Sequence, residues 1–200
     1  CLSGTKQPQS VQAGCMKLLG TLVERFPRLM KSRAQSVLLD VLMETLRTQF
    51  AAAKPNLLAL AGALTALTSV LRHPAAAALL EEEEKEEEEG DEEYAATQRA
   101  AKRARAATGA ALAHKSVRES LFLFMVLGME PPPHLTRYDI PKAALRLLAA
   151  HGRLFRGLLL ADHARVLKAL VPLCTHQNTK LRHAALDAQD SFLAQVTAAL

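Results

Sequence analysis

The sequence predicts an all-α fold, and three observations carry that prediction. Half of the 200 residues are apolar, yet aromatics make up only 4% and Trp is absent. Leu and Ala dominate, and both suit helices better than the β-branched and aromatic palette of sheets. Apolar residues also recur at steps of three and four, the spacing of one buried helix face. Short turns separate the periodic stretches, so consecutive helices must run antiparallel. The expected architecture is an α-solenoid of antiparallel helix pairs with one disordered charged insertion.

The elements follow in order. Residues 1–9 are polar. Ser10 is placed to cap a helix with Val11, Cys15, Leu18, Leu19, Leu22 and Phe26 inward, closed by Pro27. Val37, Leu38, Val41, Leu42, Thr45, Leu46 and Phe50 define the second helix. Lys54-Pro55-Asn56 starts a third, with Leu57, Leu60, Ala61, Leu64, Leu67 and Leu71 inward. Residues 74–114 then change character. Glu81 to Glu93 holds eleven acidic residues and one lysine, and Arg99, Lys102, Arg103, Arg105 and Lys115 reverse the sign. Such a tract buries too little apolar surface to offset its ordering entropy, which predicts disorder.

Ser116-x-x-Glu119 is a capping-box pattern opening the delayed partner helix, whose apolar run spans Leu121 to Met129 and stops at three prolines, 131–133. Asp139 and Pro141 start the next helix, carrying Ala144, Leu145, Leu148 and Ala149. A turn with Gly152 and Gly157 follows, with a single-turn helix at Leu154 to Leu160. Asp162 is expected to cap a helix with Val166, Leu167, Leu170 and Leu173 inward and Pro172 bending its end. The last helix, capped by Asn178 or Thr179, buries Leu181, Ala185, Ala188, Phe192 and Val196. The domains are therefore residues 1–73, the insertion 74–114, and 115–200 continuing the same array.

Leu181-Arg182-x-Ala184-Ala185-Leu186-x-Ala188 resembles the first helix of a HEAT-type repeat, alanines allowing close approach and leucines filling the groove. With the insertion removed the repeat spacing is about 40 residues, which suits HEAT or armadillo units over ankyrin or tetratricopeptide ones.

Other features exclude function classes. Cys1, Cys15 and Cys174 show no paired spacing, arguing against a disulfide framework or zinc site. The run Leu57 to Leu71 is interrupted by Thr65, Thr68 and Ser69, and falls short of the ~20 residues that span a bilayer. No signal peptide is visible, and a first residue other than Met suggests a piece of a longer polypeptide. Gly152 to Gly157 has the step of a phosphate loop, but Leu158-Leu159 stands where Lys-Ser/Thr is required. No metalloprotease, serine-hydrolase or kinase signature occurs. Cys174-x-His176 reads as structural at a helix end rather than as a nucleophilic pair, with His176 and His183 at solvated helix ends. This segment is expected to be no enzyme, with no metal and no cofactor of its own.

Charge points to partners instead. Outside 81–93 the chain carries 24 basic against 9 acidic residues, and nine basic against two acidic residues lie between Arg137 and Arg182. That excess suits nucleic acid or an acidic protein, provided it clusters on one face; otherwise the arginines simply solvate outer helix surfaces. Lys142, Arg146, Arg165, Lys168, Lys180 and Arg182 flank the inward leucines and are the candidate contacts. Lys102, Arg103 and Arg105 resemble a minimal nuclear-import motif, or balance the acidic run. Thr97-Gln98 resembles a phosphorylation site of DNA-damage kinases.

The run RYDIPKAALRLLAAHGRLF from Arg137, then LCTHQNTKLRHAALDAQDSFLAQV to Val196, resembles the N-terminal HEAT region of the phosphatidylinositol 3-kinase-related kinases, in particular the DNA-repair member of that family. Arg137-Tyr138, Pro141, Leu145-Arg146-Leu147, His151, Cys174-x-His176, Asn178 and Ser191-Phe192-Leu193 carry the likeness. Leu18-Leu19-Gly20-x-Leu22, Pro27 and the Pro55 helix fit less strictly, and 74–114 departs from it. The resemblance implies a large nuclear serine/threonine kinase, recruited to broken DNA ends by the Ku heterodimer in non-homologous end joining. ATP and Mg would be bound by its kinase domain, far downstream. The role implied for this segment is a scaffold contacting DNA ends, Ku and the remaining repeats of its own chain, with no membrane and no small-molecule substrate. The competing expectation is a HEAT adaptor or nuclear-transport module that binds only proteins.

Overall fold

The computed structural model describes residues 9–25, 32–52, 54–74, 77, 116–130 and 138–198. Among these the helices are α1 (Gln9–Arg25), α2 (Ser32–Ala51), α3 (Leu57–Val70), α4 (Val117–Met129), α5 (Asp139–His151), α6 (Arg156–Ala161), α7 (His163–Cys174) and α8 (Thr179–Thr197), with a 3-10 turn at Gly152–Phe155. No strand occurs among the described residues. Residues 78–115, including the charged tract, lie outside them, as do Phe26, Pro27 and the prolines at 131–133.

The helices stack in two rows. In the first, α1 packs on α3, α3 on α5 and α5 on α8. In the second, α2 packs on α4 and α4 on α7, while α2, α4 and α7 also rest on α3, α5 and α8 respectively. One apolar core runs through the stack from Met16 and Val23 to Ala188 and Phe192.

Three helix starts show how sequence fixes local structure. The Asn56 side chain accepts from Ala59 N at 3.2 Å, the Ser116 hydroxyl from Glu119 N at 3.1 Å, and the Asn178 side chain from Leu181 N at 3.2 Å. Each satisfies a backbone donor that the first helical turn leaves orphaned. Central α3 buries Leu60, Leu64 and Leu67 almost completely, each worth about 1.5–3 kcal/mol against exposure. Its interrupting hydroxyls cost little there, because Thr65 and Thr68 donate to the Ala61 and Leu64 carbonyls one turn back. Among the described residues no helix is long and apolar enough to cross a membrane.

Four expectations need correction. Among the described side chains of α1, Met16, Gly20 and Val23 are buried, while Val11, Leu18 and Leu22 are 46%, 59% and 45% exposed. The stripe is chosen by the smallest residue in it: a Cβ built on Gly20 would lie 3.4 Å from Ala66 Cα, so α1 and α3 meet backbone to backbone there. In α7, Leu167 faces outward and Ala169 takes the inward position, and the helix continues through Pro172 to Cys174. The Asp162 side chain makes no cap hydrogen bond; its carbonyl accepts from Arg165 N and Val166 N at 3.1 Å. Leu186 is exposed rather than groove-filling, whereas Leu181, Ala184, Ala185, Ala188 and Phe192 are buried, with Val196 partly so.

The α4–α5 crossing is a close joint. A Cβ on Gly128 would meet Ala144 Cβ at 2.9 Å, so glycine is the side chain that fits. Within the second row, Phe50 of α2 stacks flat on Phe124 of α4 with ring centroids 5.3 Å apart.

Candidate nucleic-acid interface

A groove of ≈ 690 Å³ runs along the outer face of the first row. From α1 it takes Gly14, Met16, Gly20 and Thr21; from α3, Leu58, Ala61, Gly62, Thr65 and Ser69. Asp139, Lys142, Ala143 and Arg146 of α5 form its far wall. Only Met16 and Leu58 are large apolar residues, so the floor favours a partner backbone that comes close rather than bulky side chains. Lys142 and Arg146 stand one turn apart on α5, where residues four apart share a face.

The other candidate cations lie elsewhere. Arg165 on α7 pairs with Glu130 at 3.5 Å, both roughly one-third exposed, and such a pair contributes at most about 1 kcal/mol. Lys168 is exposed one turn further along α7. Lys180 is exposed in the first turn of α8, and the half-buried Arg182 donates to the His176 carbonyl at 3.3 Å. The six candidates thus divide between α5 and α8 in one row and α7 in the other. Lys142 and Arg146 are the two brought together on a concave surface. Thr97, Lys102, Arg103 and Arg105 lie outside the described residues.

Cys174 and His176 do not form a thiol–imidazole pair. Cys174 Sγ donates to Gln189 Oε1 at 3.4 Å, and burial pushes its pKa up, the reverse of what a thiolate nucleophile needs. His176 is half-buried; its Nδ1 accepts from Asn178 N at 3.0 Å, and its ring meets Tyr138 edge-on at 4.8 Å. His183 is exposed within α8. Among the described residues no group of His, Cys, Asp and Glu could hold a metal ion.

Sequence reasoning did not anticipate the role of His151. It is buried at the end of α5, its Nε2 2.9 Å from the Thr68 carbonyl of α3. A carbonyl can only accept, so Nε2 carries the proton. Burial lowers the pKa of His151; the bond to Thr68 opposes that shift, and the Arg72 charge adds to it. The neutral ring is therefore a tie between neighbouring helices. The sequence carried one hint, a polar residue on the inward face of an otherwise apolar helix.

The stack is all-helical among its described residues, an arrangement consistent with an α-solenoid. A family model for the DNA-PKcs N-terminal region matches residues 106–200. The chain is 34% identical over 79 residues to the DNA-dependent protein kinase catalytic subunit of Mus musculus, covering 40% of this chain. It is 32% identical over 78 residues to that of Xenopus laevis and 34% over 77 to that of Canis lupus familiaris, covering 39% and 38%. In each case the match spans 2% of the relative's length. That family match falls on helices α4 to α8; α1 to α3 precede its range.

Proposed function

We propose that this chain is part of the N-terminal HEAT scaffold of a DNA-dependent protein kinase catalytic subunit. In this reading its helices pair antiparallel, and it contributes to DNA-end and Ku binding in double-strand break repair by non-homologous end joining. The parent is a nuclear serine/threonine kinase whose ATP and Mg sites lie outside this segment. The supporting observation is coincidence: the helices of the basic stretch between Arg137 and Arg182, α5 to α8, all lie within the family match.

Mechanistically, Lys and Arg on a helical surface neutralise phosphates without reading bases, so binding is sequence-independent and salt-sensitive. The test is duplex binding by the full-length parent, with and without Ku, across a salt series. Lys142→Glu with Arg146→Glu should weaken end binding and reduce the log–log salt slope by about 0.9 for each phosphate no longer neutralised. Charge reversal at Arg165, Lys168, Lys180 and Arg182 should act more weakly, because those cations are dispersed over two helices. Unchanged affinity and slope for all six would remove the DNA-binding role. A parent chain lacking a phosphotransferase module would favour the protein-only adaptor instead.

A further inference from the structure

We infer that the groove between α1, α3 and α5 is a docking site for the chain's own acidic tract, Glu81 to Glu93, which competes with phosphates for Lys142 and Arg146. Three observations carry this. The first is charge: eleven acidic residues lie within thirteen positions of the sequence, and the far wall of the groove bears Lys142 and Arg146. Among the described residues of the lining, Asp139 is the single opposing carboxylate.

The second is connection. The groove extends along α3 from Leu58 to Ser69, and the chain leaves α3 at the Ser69 end. Glu81 lies four positions beyond Ala77, the last residue described before the tract, a reach of up to about 13 Å when extended. A ligand tethered so closely is present at roughly millimolar effective concentration, so even weak ionic contacts keep it engaged. The third is shape. Gly14, Gly20, Gly62, Ala61 and Ala143 leave a floor in which Met16 and Leu58 are the large apolar side chains. An extended backbone can come close to such a floor while its carboxylates reach the cations of α5. The docking stands whether or not the parent binds DNA, while the competition with phosphates rests on the DNA-binding reading above.

Zero-length carbodiimide cross-linking of the intact 200-residue chain, read by peptide mass spectrometry, tests this. Carboxylates of 81–93 should join to the Lys142 amine at about five-fold the yield found at Lys168 or Lys180, the excess that tethering in one place confers. Arg146→Ala leaves that amine in place and should lower the yield. Raising salt to about 1 M, where charges are screened within ~3 Å, should abolish the preference. Equal yields at the three lysines, or a Lys142 product indifferent to salt and to Arg146, would overturn the proposal. In a second arm, replacing the glutamates of 81–93 by glutamine should tighten duplex binding severalfold at low salt. If cross-linking succeeds while the Lys142 and Arg146 reversals leave DNA binding unchanged, the docking stands and the DNA reading fails.

Discussion

Helices α1 and α3 both carry leucines at helical spacing, yet those leucines meet opposite fates. Interior α3 is flanked by α1, α2 and α5 and buries residues around most of its circumference. End helix α1 packs chiefly on α3 and leaves Val11, Leu18 and Leu22 to solvent. In a stack, burial is decided by how many neighbours a helix has, and a periodic stripe alone does not report that number.

Truncation breaks or sharpens this contrast most directly. Leu64→Ala at the centre of α3 should cost about 2–5 kcal/mol in urea unfolding, whereas Leu18→Ala in α1 should stay within roughly 0.5 kcal/mol. Comparable losses would mean that α1 is covered in solution. Gly128→Ala should destabilise by about 1–3 kcal/mol despite alanine's better helix propensity, because neither its Cβ nor that of Ala144 has a flexible end to move aside. A stabilised variant would show that the α4–α5 crossing relaxes freely. Asn178→Ala should cost about 1 kcal/mol through removal of the α8 cap, while Asp162→Ala, whose side chain caps nothing, should be near neutral.

The smallest effect belongs to pH. His151 binds its proton more weakly folded than unfolded, so its contribution is fully present above the ordinary value of 6.5. It disappears as pH falls from there through the lowered folded value, because the unfolded chain takes up the proton first. A titration of unfolding free energy should show this decline in the native chain, and His151→Gln should flatten it. A decline of the same size in that variant would assign it to other groups.

How much of the fold is legible in the sequence depends on range. Helix α8 is readable in cap and face, because Asn178 and the Leu181-to-Phe192 stripe are local signals. The Ser116–Glu119 start is equally plain. Helix α1 misleads because its larger apolar residues suggest one face while Gly20, by permitting close approach to Ala66, selects another. Leu167 and Asp162 mislead for a related reason: the neighbours, and the geometry of the short α6–α7 link, decide what a side chain meets. The groove is invisible in the sequence, since its walls come from residues 14–21, 58–69 and 139–146 and no spacing rule joins them.

One joint bears on how fast the molecule assembles. The Thr68 carbonyl and the His151 ring meet across 83 positions of chain, and Phe50 finds Phe124 across a similar gap. Contacts between distant positions form slowly because closing the intervening loop precedes any reward. The remaining neighbours, α1 to α3 on one side and α4 to α8 on the other, are close in sequence and can pair quickly. Refolding should therefore show two early-forming halves and a later step in which they zip together, and shortening the chain between residues 78 and 115 should hasten that step without changing either half.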